Sequence, residues 1–499
     1  MPRRNLYAIT AVVALSLICR QATQGAKSKD DTLELYGLFV DAVEQVQANY
    51  VRPVERKKLL ESALRGMLSD LDPHSAFIDT TQWKAFRKKI DGRFGGLGIT
   101  VGLDQRSNRL RVVAPMVGTP AYDAGIVAGD IILDIDGIST EGMTADKAVE
   151  VLQGRPGTPV KLRVAHEGIS KPEVITLHRA IIQVPSVLGD ARKADDRPDF
   201  MLDKDKKIGY VRITDFIQST AQDVAAALRE LEAGGVKGLI LDLRDDPGGL
   251  LSAAVEISDM FVPKGQIVST KGRNQADKVY ESQDDGSIFE KIPMVVLVND
   301  HSASASEIVA AALQDHGRAL VVGQRSFGKG SVQNILDLED GNSVLKLTVA
   351  TYWRPSGKNI HRFPNAKESE EWGVSPDKGL EVKLTPQQHL QWALARRDRD
   401  LLINSSKRPK TDAERRAKDE AKPADASKPK DDAKPKDDPP SKEEPKAKDE
   451  AKSKDESKPK EEPKAKTEPS VRSGSADREW KDIQLEKAVE VLSEKLKTA

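Results

Sequence analysis

The run Gly238-Leu-Ile-Leu-Asp-Leu-Arg244 is continuously apolar apart from its charged end, so it reads as a strand of the fully buried, parallel type. Strand and helix patterns alternate on either side of it. Before it come a strand over Ile208–Ile213 and a helix over Ala221–Glu232. After it come a helix over Leu250–Met260, a strand over Met294–Val298, a helix from about Ser304 to Asp315 and a strand over Leu320–Gly323. Such βαβ alternation argues for an α/β core, placed at residues 183–400.

The chain has 499 residues, too many for one hydrophobic core, and two to four domains are expected. Tyr36, Phe39, Val43, Val46 and Tyr50, and then Leu59, Leu60, Ala63, Leu64, Met67 and Leu68, recur at helical spacing. Leu71-Asp-Pro-His-Ser75 stops the second helix. This helical arm, 30–92, is either a packing layer or a dimerisation element. His74, beside a proline at a helix end, reads as a turn residue rather than a catalytic one.

From Phe94 the pattern changes to short strands punctuated by glycine. In Phe94-Gly-Gly-Leu-Gly-Ile-Thr-Val101 the glycines precede a β-rich run, so the N–H groups of Gly96, Leu97, Gly98 and Ile99 can converge on a peptide carboxylate. With Gly118–Ile126, Gly129–Gly137, a helix over Thr144–Leu152 and Gly157–Val164 in that order, residues 93–182 resemble a PDZ domain. Ala145, Ala148, Val149 and Leu152 are expected to line its groove, and an extended C-terminal peptide is the ligand this implies.

At the amino end, Pro2-Arg3-Arg4 precedes an apolar run from Leu6 to Ile18, which fits a signal sequence (1–26) better than a membrane span. Export to the periplasm or the outer face of the cytoplasmic membrane follows, with a retained anchor or lipidation at Cys19 as alternatives. Cys19 is the only cysteine, so no disulfide forms within the chain. Residues 405–475 are dominated by Lys, Glu, Asp, Pro, Ala and Ser, and no aromatic occurs between Trp392 and Trp480, so a disordered insertion is expected. An amphipathic helix in 476–499 closes the chain. Basic and acidic residues number 78 each, and the tail's charges are finely mixed, which argues against a nucleic-acid partner.

Two strand-to-helix turns in the α/β region carry chemistry. Arg244-Asp-Asp-Pro-Gly-Gly249 can bring N–H groups close to an anion at a helix start. Asn299-Asp-His-Ser-Ala-Ser-Ala-Ser-Glu307 can project a serine beside the N–H of the next residue. On geometry alone Ser302, Ser304 and Ser306 compete as nucleophile, and Ser304 with Glu307 also has the spacing of a helix-capping box. Lys329, in Phe327-Gly-Lys-Gly330, could be the base if desolvation populates its neutral form, with Gln333 hydrogen-bonded to it. A solvated lysine in a glycine turn is the plainer reading.

The order of these motifs, with Pro355-Ser-Gly357 and Gly373-Val-Ser-Pro-Asp377 beyond them, resembles the bacterial C-terminal processing (tail-specific) proteases over roughly residues 30–390. The resemblance implies a protease core of crotonase/ClpP-like type, nucleophile Ser304, base Lys329, supporting Gln333, and oxyanion donors Gly249 and Ala305. It implies no metal or organic cofactor. Substrates would be proteins or peptides with free, apolar C-termini, and the arm suggests a homodimer. Two departures stand out: Gln153 replaces a basic residue at the end of the PDZ helix, with Arg155 two positions on, and Asp245 and Asp246 make the Pro-Gly-Gly turn more acidic. A non-catalytic PDZ adaptor and a protease using His301 as base are the rival readings.

Overall fold

The computed structural model describes residues 33–283, 289, 291–400 and 480–498; the leader with Cys19 and the charged stretch 405–475 lie outside them. Strands Ile208–Ile213, Gly238–Asp242, Met294–Val298 and Leu320–Gly323 lie side by side in parallel. Val187–Leu188 and Met201–Asp203 pair antiparallel with the first. Every residue of the first three strands is buried, as a sheet covered on both faces requires.

The alternation of strand side chains decides what covers each face. Val211, Leu239, Leu241, Val296 and Val298 pack under helices Thr220–Ala233, Leu251–Asp259 and Ala305–Asp315 through Val224, Leu228, Ile257 and Ile308. Tyr210, Ile240, Val295 and Leu297 point the other way, and Ala488, Val491 and Leu492 of the helix Ile483–Thr498 cover them. Gly238 permits that closeness, since a Cβ there would stand 3.0 Å from the Leu492 side chain.

Arg244, 1% exposed, is the charged pin between these layers. Its guanidinium donates to Asp242, to both carboxylate oxygens of Asp482 at 2.9 Å and to Gln484, and it lies 4.8 Å from the Trp392 ring centroid. Removing one partner of a buried ion pair leaves the others uncompensated. Arg244→Ala is therefore expected to cost about 3–5 kcal/mol, read as a lower urea midpoint; an unchanged midpoint would contradict the pinning role.

A five-stranded antiparallel sheet packs beside the parallel one, built from Ala76–Ile78, Ser343–Trp353, Gln266–Gly272, Gln275–Glu281 and Ser331–Leu338. Ala76–Ile78 follows directly on Leu71–Ser75, so its pairing with Ser343–Trp353 carries that turn against the antiparallel sheet. The preceding helices, 33–49 and Arg56–Ser69, differ in cover. On the first, Leu33, Leu35, Tyr36, Leu38, Phe39, Val40 and Val46 are all exposed within the single chain, which is not how a packing layer looks.

Residues 99–178 form a third sheet in the order Ile99–Asp104, Arg109–Pro115, Ile131–Ile135, Pro159–Ala165, Glu173–His178, with helix Ala145–Leu152 against it. Leu97, Leu110, Ile126, Ile132 and Leu162 make its core. Of the residues expected to line the groove, Ala148 and Leu152 are buried in this core, and Ala145 and Val149 are exposed, with Val149 lining an adjoining cavity. A helix pattern gives an apolar face without saying which neighbour it meets.

Candidate active site

The serine turn is strained where chemistry is expected. Ser304 has φ +58° and ψ −112°, outside the ordinary regions for a residue with a Cβ, and helix Ala305–Asp315 begins immediately after it. Such a conformation costs on the order of 1–3 kcal/mol and persists only if its surroundings impose it. The Pro-Gly-Gly loop is one imposition. A Cβ on Gly248 would lie 2.4 Å from the Ala303 carbonyl and 2.7 Å from the Ala305 nitrogen, so only glycine lets the loop seat there. Ala303 N–H and the Ser306 hydroxyl both donate to the Asp246 carbonyl.

Glu307 is the other. Its carboxylate is fully buried and accepts from Ser304 N–H (Oε2, 2.8 Å), Lys329 N–H (Oε2, 2.8 Å), Gly328 N–H (Oε1, 2.7 Å) and the Ser326 hydroxyl (Oε1, 2.5 Å). One oxygen thus holds the backbones of the serine and the lysine together. Burial pushes the Glu307 carboxyl up to about 7, while these donors pull against the rise.

The rival serines are occupied. Ser302 and Ser306 are completely buried; Ser302 donates to the Leu243 carbonyl and accepts from Asn299 N–H, and Ser306 is tied to Asp246. Ser304 retains slight exposure, at 8%. The parallel bridge between Phe216 and Gly249 is made by Phe216 N–H to the Gly248 carbonyl and Leu250 N–H to the Phe216 carbonyl, which turns the N–H of Gly249 away from Phe216. Ala305 N–H opens the helix beside Ser304, at an end where the macrodipole favours negative charge. Of the two acidic residues in the loop, Asp246 is buried. Desolvation pushes its buried carboxyl well above the ordinary range, which disfavours the charged form.

Gln333 donates its amide N–H to Ser331 Oγ (2.8 Å) and Thr348 Oγ1 (3.3 Å), which leaves its carbonyl oxygen as the atom suited to a lysine. Thr348 Oγ1 in turn donates to Asp72, and Thr348 N–H to Ser75 Oγ, so Leu71–Ser75 belongs to the walls of this site. His74 has its own N–H on Asp72; burial first, then the charge of Lys329, hold its imidazole below the ordinary range. His301, the rival base, is exposed, and its recorded partners are Asp300, Asp245 and His389 rather than Ser304.

Sequence reasoning missed Glu307 as a tie between the two motifs, and Asp72, Ser75 and Thr348 as a supporting shell. The Ser-x-x-Glu spacing was the available signal for the first; the shell pairs residues 276 positions apart and left none.

Gly96–Ile99 sit where the PDZ core meets the rest of the chain. Leu97 is buried, its carbonyl accepts from Ala121 N–H, and Gly98 has φ +75°. Beside them a cavity of 770 Å³ is lined by Phe94, Val149 and Gln153, by Lys84 and Lys88 of helix Thr80–Asp91, and by Asp215 and Ile217 of the α/β core. Gln153 accepts from Lys88 Nζ at 3.3 Å, so a cation does stand at the end of the PDZ helix, supplied by another element.

Among known proteins, a model described as peptidase family S41 matches residues 207–378, a PDZ model matches 111–165, and one described as the activating protease CtpB N-terminal domain matches 6–82. The carboxy-terminal-processing protease of Bartonella bacilliformis is 39% identical over 77% of this chain and 84% of that protein. The carboxy-terminal processing protease CtpA of Bacillus subtilis is 35% identical over 71% and 73%. The solved photosystem II D1 C-terminal processing protease is 31% identical, with 69% of this chain and 92% of that one covered, at a TM-score of 0.38.

Proposed function

From the premise that the chain belongs to peptidase family S41, as a C-terminal processing serine protease with a PDZ domain, we propose that Ser304 and Lys329 form its catalytic dyad. The observation that carries this is the Glu307 oxygen shared by the N–H groups of both residues. Ser304 Oγ attacks the scissile carbonyl carbon while the neutral Lys329 amine takes its proton. The N–H groups of Ala305 and Gly249 receive the developing oxyanion. Lys329 then returns the proton to the leaving amine, and a water activated by the same amine hydrolyses the acyl-enzyme. Gln333 orients the lysine through its carbonyl oxygen. A serine-reactive fluorophosphonate probe tests the assignment: mass spectrometry should find the adduct on Ser304, and an adduct on Ser302 or Ser306 would refute it.

Substrates enter, on this reading, by their tails. An extended peptide adds to the PDZ domain with its carboxylate on the N–H groups of Gly96–Ile99, and the apolar cavity at Phe94 and Val149 favours an apolar terminal residue. Amidation removes the charge that loop would hold, so a free-acid peptide is expected to bind about tenfold or more tightly than its amide by fluorescence anisotropy, a charged hydrogen bond being about 1.5–3 kcal/mol. Equal affinities would sink tail recruitment. The leader pattern at Leu6–Ile18 supports export, and the exposed apolar side chains of helix 33–49 support pairing of two copies through the arm. No helix among the described residues is long and apolar enough to cross a membrane.

A further inference from the structure

Three elements that meet behind the serine turn bring two imidazoles and a carboxylate to one point. Asp245 lies in the Pro-Gly-Gly loop, His301 in the serine turn, and His389 on helix Pro386–Asp400. His389 Nε2 is 3.0 and 3.1 Å from the two Asp245 oxygens, and His301 Nδ1 is 3.6 Å from Asp245 Oδ1. One ligand atom from each lies within 4.8 Å of the others. The two rings stack almost parallel, 4.9 Å apart at 4°, so their nitrogens face the same carboxylate.

We propose that Asp245, His301 and His389 bind a zinc-class divalent ion, which the dyad mechanism does not use. A tetrahedral ion with bonds of about 2.0–2.2 Å needs its ligand atoms about 3.3 Å apart. The two Asp245 contacts are already close to that spacing; because an imidazole lone pair lies in the ring plane, the stacked rings must also rotate out of parallel for both to reach one ion. Two neutral imidazoles with one carboxylate suit zinc, whereas magnesium and calcium prefer all-oxygen sets. Support stands behind the ligands. Asn299 donates Nδ2–H to Asp245 Oδ1 (2.7 Å) and accepts Asp245 N–H (3.0 Å), and Trp392 backs the His389 ring at 5.7 Å. Asp245 and His301 are exposed, so a hydrated ion can reach the site and keep a water as fourth ligand.

The bound ion would join the loop carrying Gly249, the turn carrying Ser304 and a helix anchored by Arg396 to Asp190. It would add stability that grows with the logarithm of free ion concentration above the Kd. Full-length Ser304→Ala protein, stripped with chelator, suits the test because it separates metal binding from hydrolysis. Calorimetric titration with zinc chloride is expected to show one ion per chain in the micromolar range or tighter and a higher melting temperature. Cobalt should give the visible absorption of a four-coordinate site. Asp245→Asn, His301→Gln and His389→Gln should each weaken zinc at least about tenfold, while His178→Gln, a surface histidine elsewhere, should not. Melting of each variant in chelator shows whether it is folded, and any one folded variant decides the matter. Absence of zinc binding, or binding undiminished in the folded ligand variants, would overturn the site.

Discussion

Ser304→Ala, Lys329→Ala and Lys329→Arg are each expected to lower kcat for peptide hydrolysis by about 10⁴-fold or more, because nucleophile and base act as one unit and the loss of either removes the covalent route. The arginine variant is the sharpest of the three. A guanidinium keeps the positive charge and much of the shape of lysine but cannot deprotonate to serve as a base. Residual turnover in Lys329→Arg near that of the wild type would show that the cation, rather than a free amine, is what the site needs. Ser302→Ala and Ser306→Ala form the contrast. Each loses a buried hydrogen bond, to Leu243 or to Asp246, and should lower stability by about 1–2 kcal/mol while the folded protein keeps its turnover. Active-site titration would keep the count of folded molecules apart from the rate per molecule.

Glu307→Gln is expected to be almost as damaging as loss of the dyad, although Glu307 touches no substrate. The oxygen that accepts from Ser304 N–H and Lys329 N–H, or its partner bonded to Gly328 N–H and Ser326, becomes an NH₂ group facing donors. One orientation leaves the Ser304 and Lys329 N–H groups unpaired and releases one side of the strained serine turn; the other leaves Gly328 N–H unpaired and obliges the Ser326 hydroxyl to turn and accept. A fall in kcat of about 10²-fold or more is expected, since small misplacements of reacting groups have costs of that order, with KM little changed. The same residue gives a pH signature. Its carboxyl stands at about 7 in the folded protein against an ordinary 4.5. Folding therefore favours the protonated form: the contribution to stability is full below pH 4.5 and is lost as pH rises through about 7. The difference corresponds to roughly 3 kcal/mol. Urea midpoints of the wild type should fall between pH 5 and 8 by more than those of Glu307→Gln, and parallel pH profiles would contradict the assignment.

What the sequence made legible follows from range. The strands Ile208–Ile213, Met294–Val298 and Leu320–Gly323 stand where the apolar runs place them, because a fully buried strand has no other composition. Helices differ by a residue or so at their ends, as with Thr220–Ala233 and Leu251–Asp259, where capping rather than periodicity sets the limit. The α/β core, the PDZ domain and the protease family were all readable from motifs in order. The serine and lysine motifs were visible, but choosing Ser304 over its neighbours took the resemblance. The fold adds that the hydroxyls of Ser302 and Ser306 are hydrogen-bonded to the Leu243 and Asp246 carbonyls. Contacts with partners far along the chain left no local trace: Lys88 with Gln153, Gln333 through Thr348 to Asp72, and Arg244 with Asp482.

The position of the helix Ile483–Thr498 in the chain also orders the protein's manufacture. A ribosome delivers Arg244 and the sheet face of Tyr210, Ile240 and Val295 long before it delivers Asp482 and Leu492, which arrive 238 residues or more after the arginine. Until then that face lacks its covering helix and the arginine has only Asp242 and the Trp392 ring. A chain stopped early by a faulty message would present an apolar surface, the feature by which chaperones and degradative proteases select their clients. A fragment long enough to contain both Ser304 and Lys329 but ending before Asp482 therefore still lacks one layer of its core.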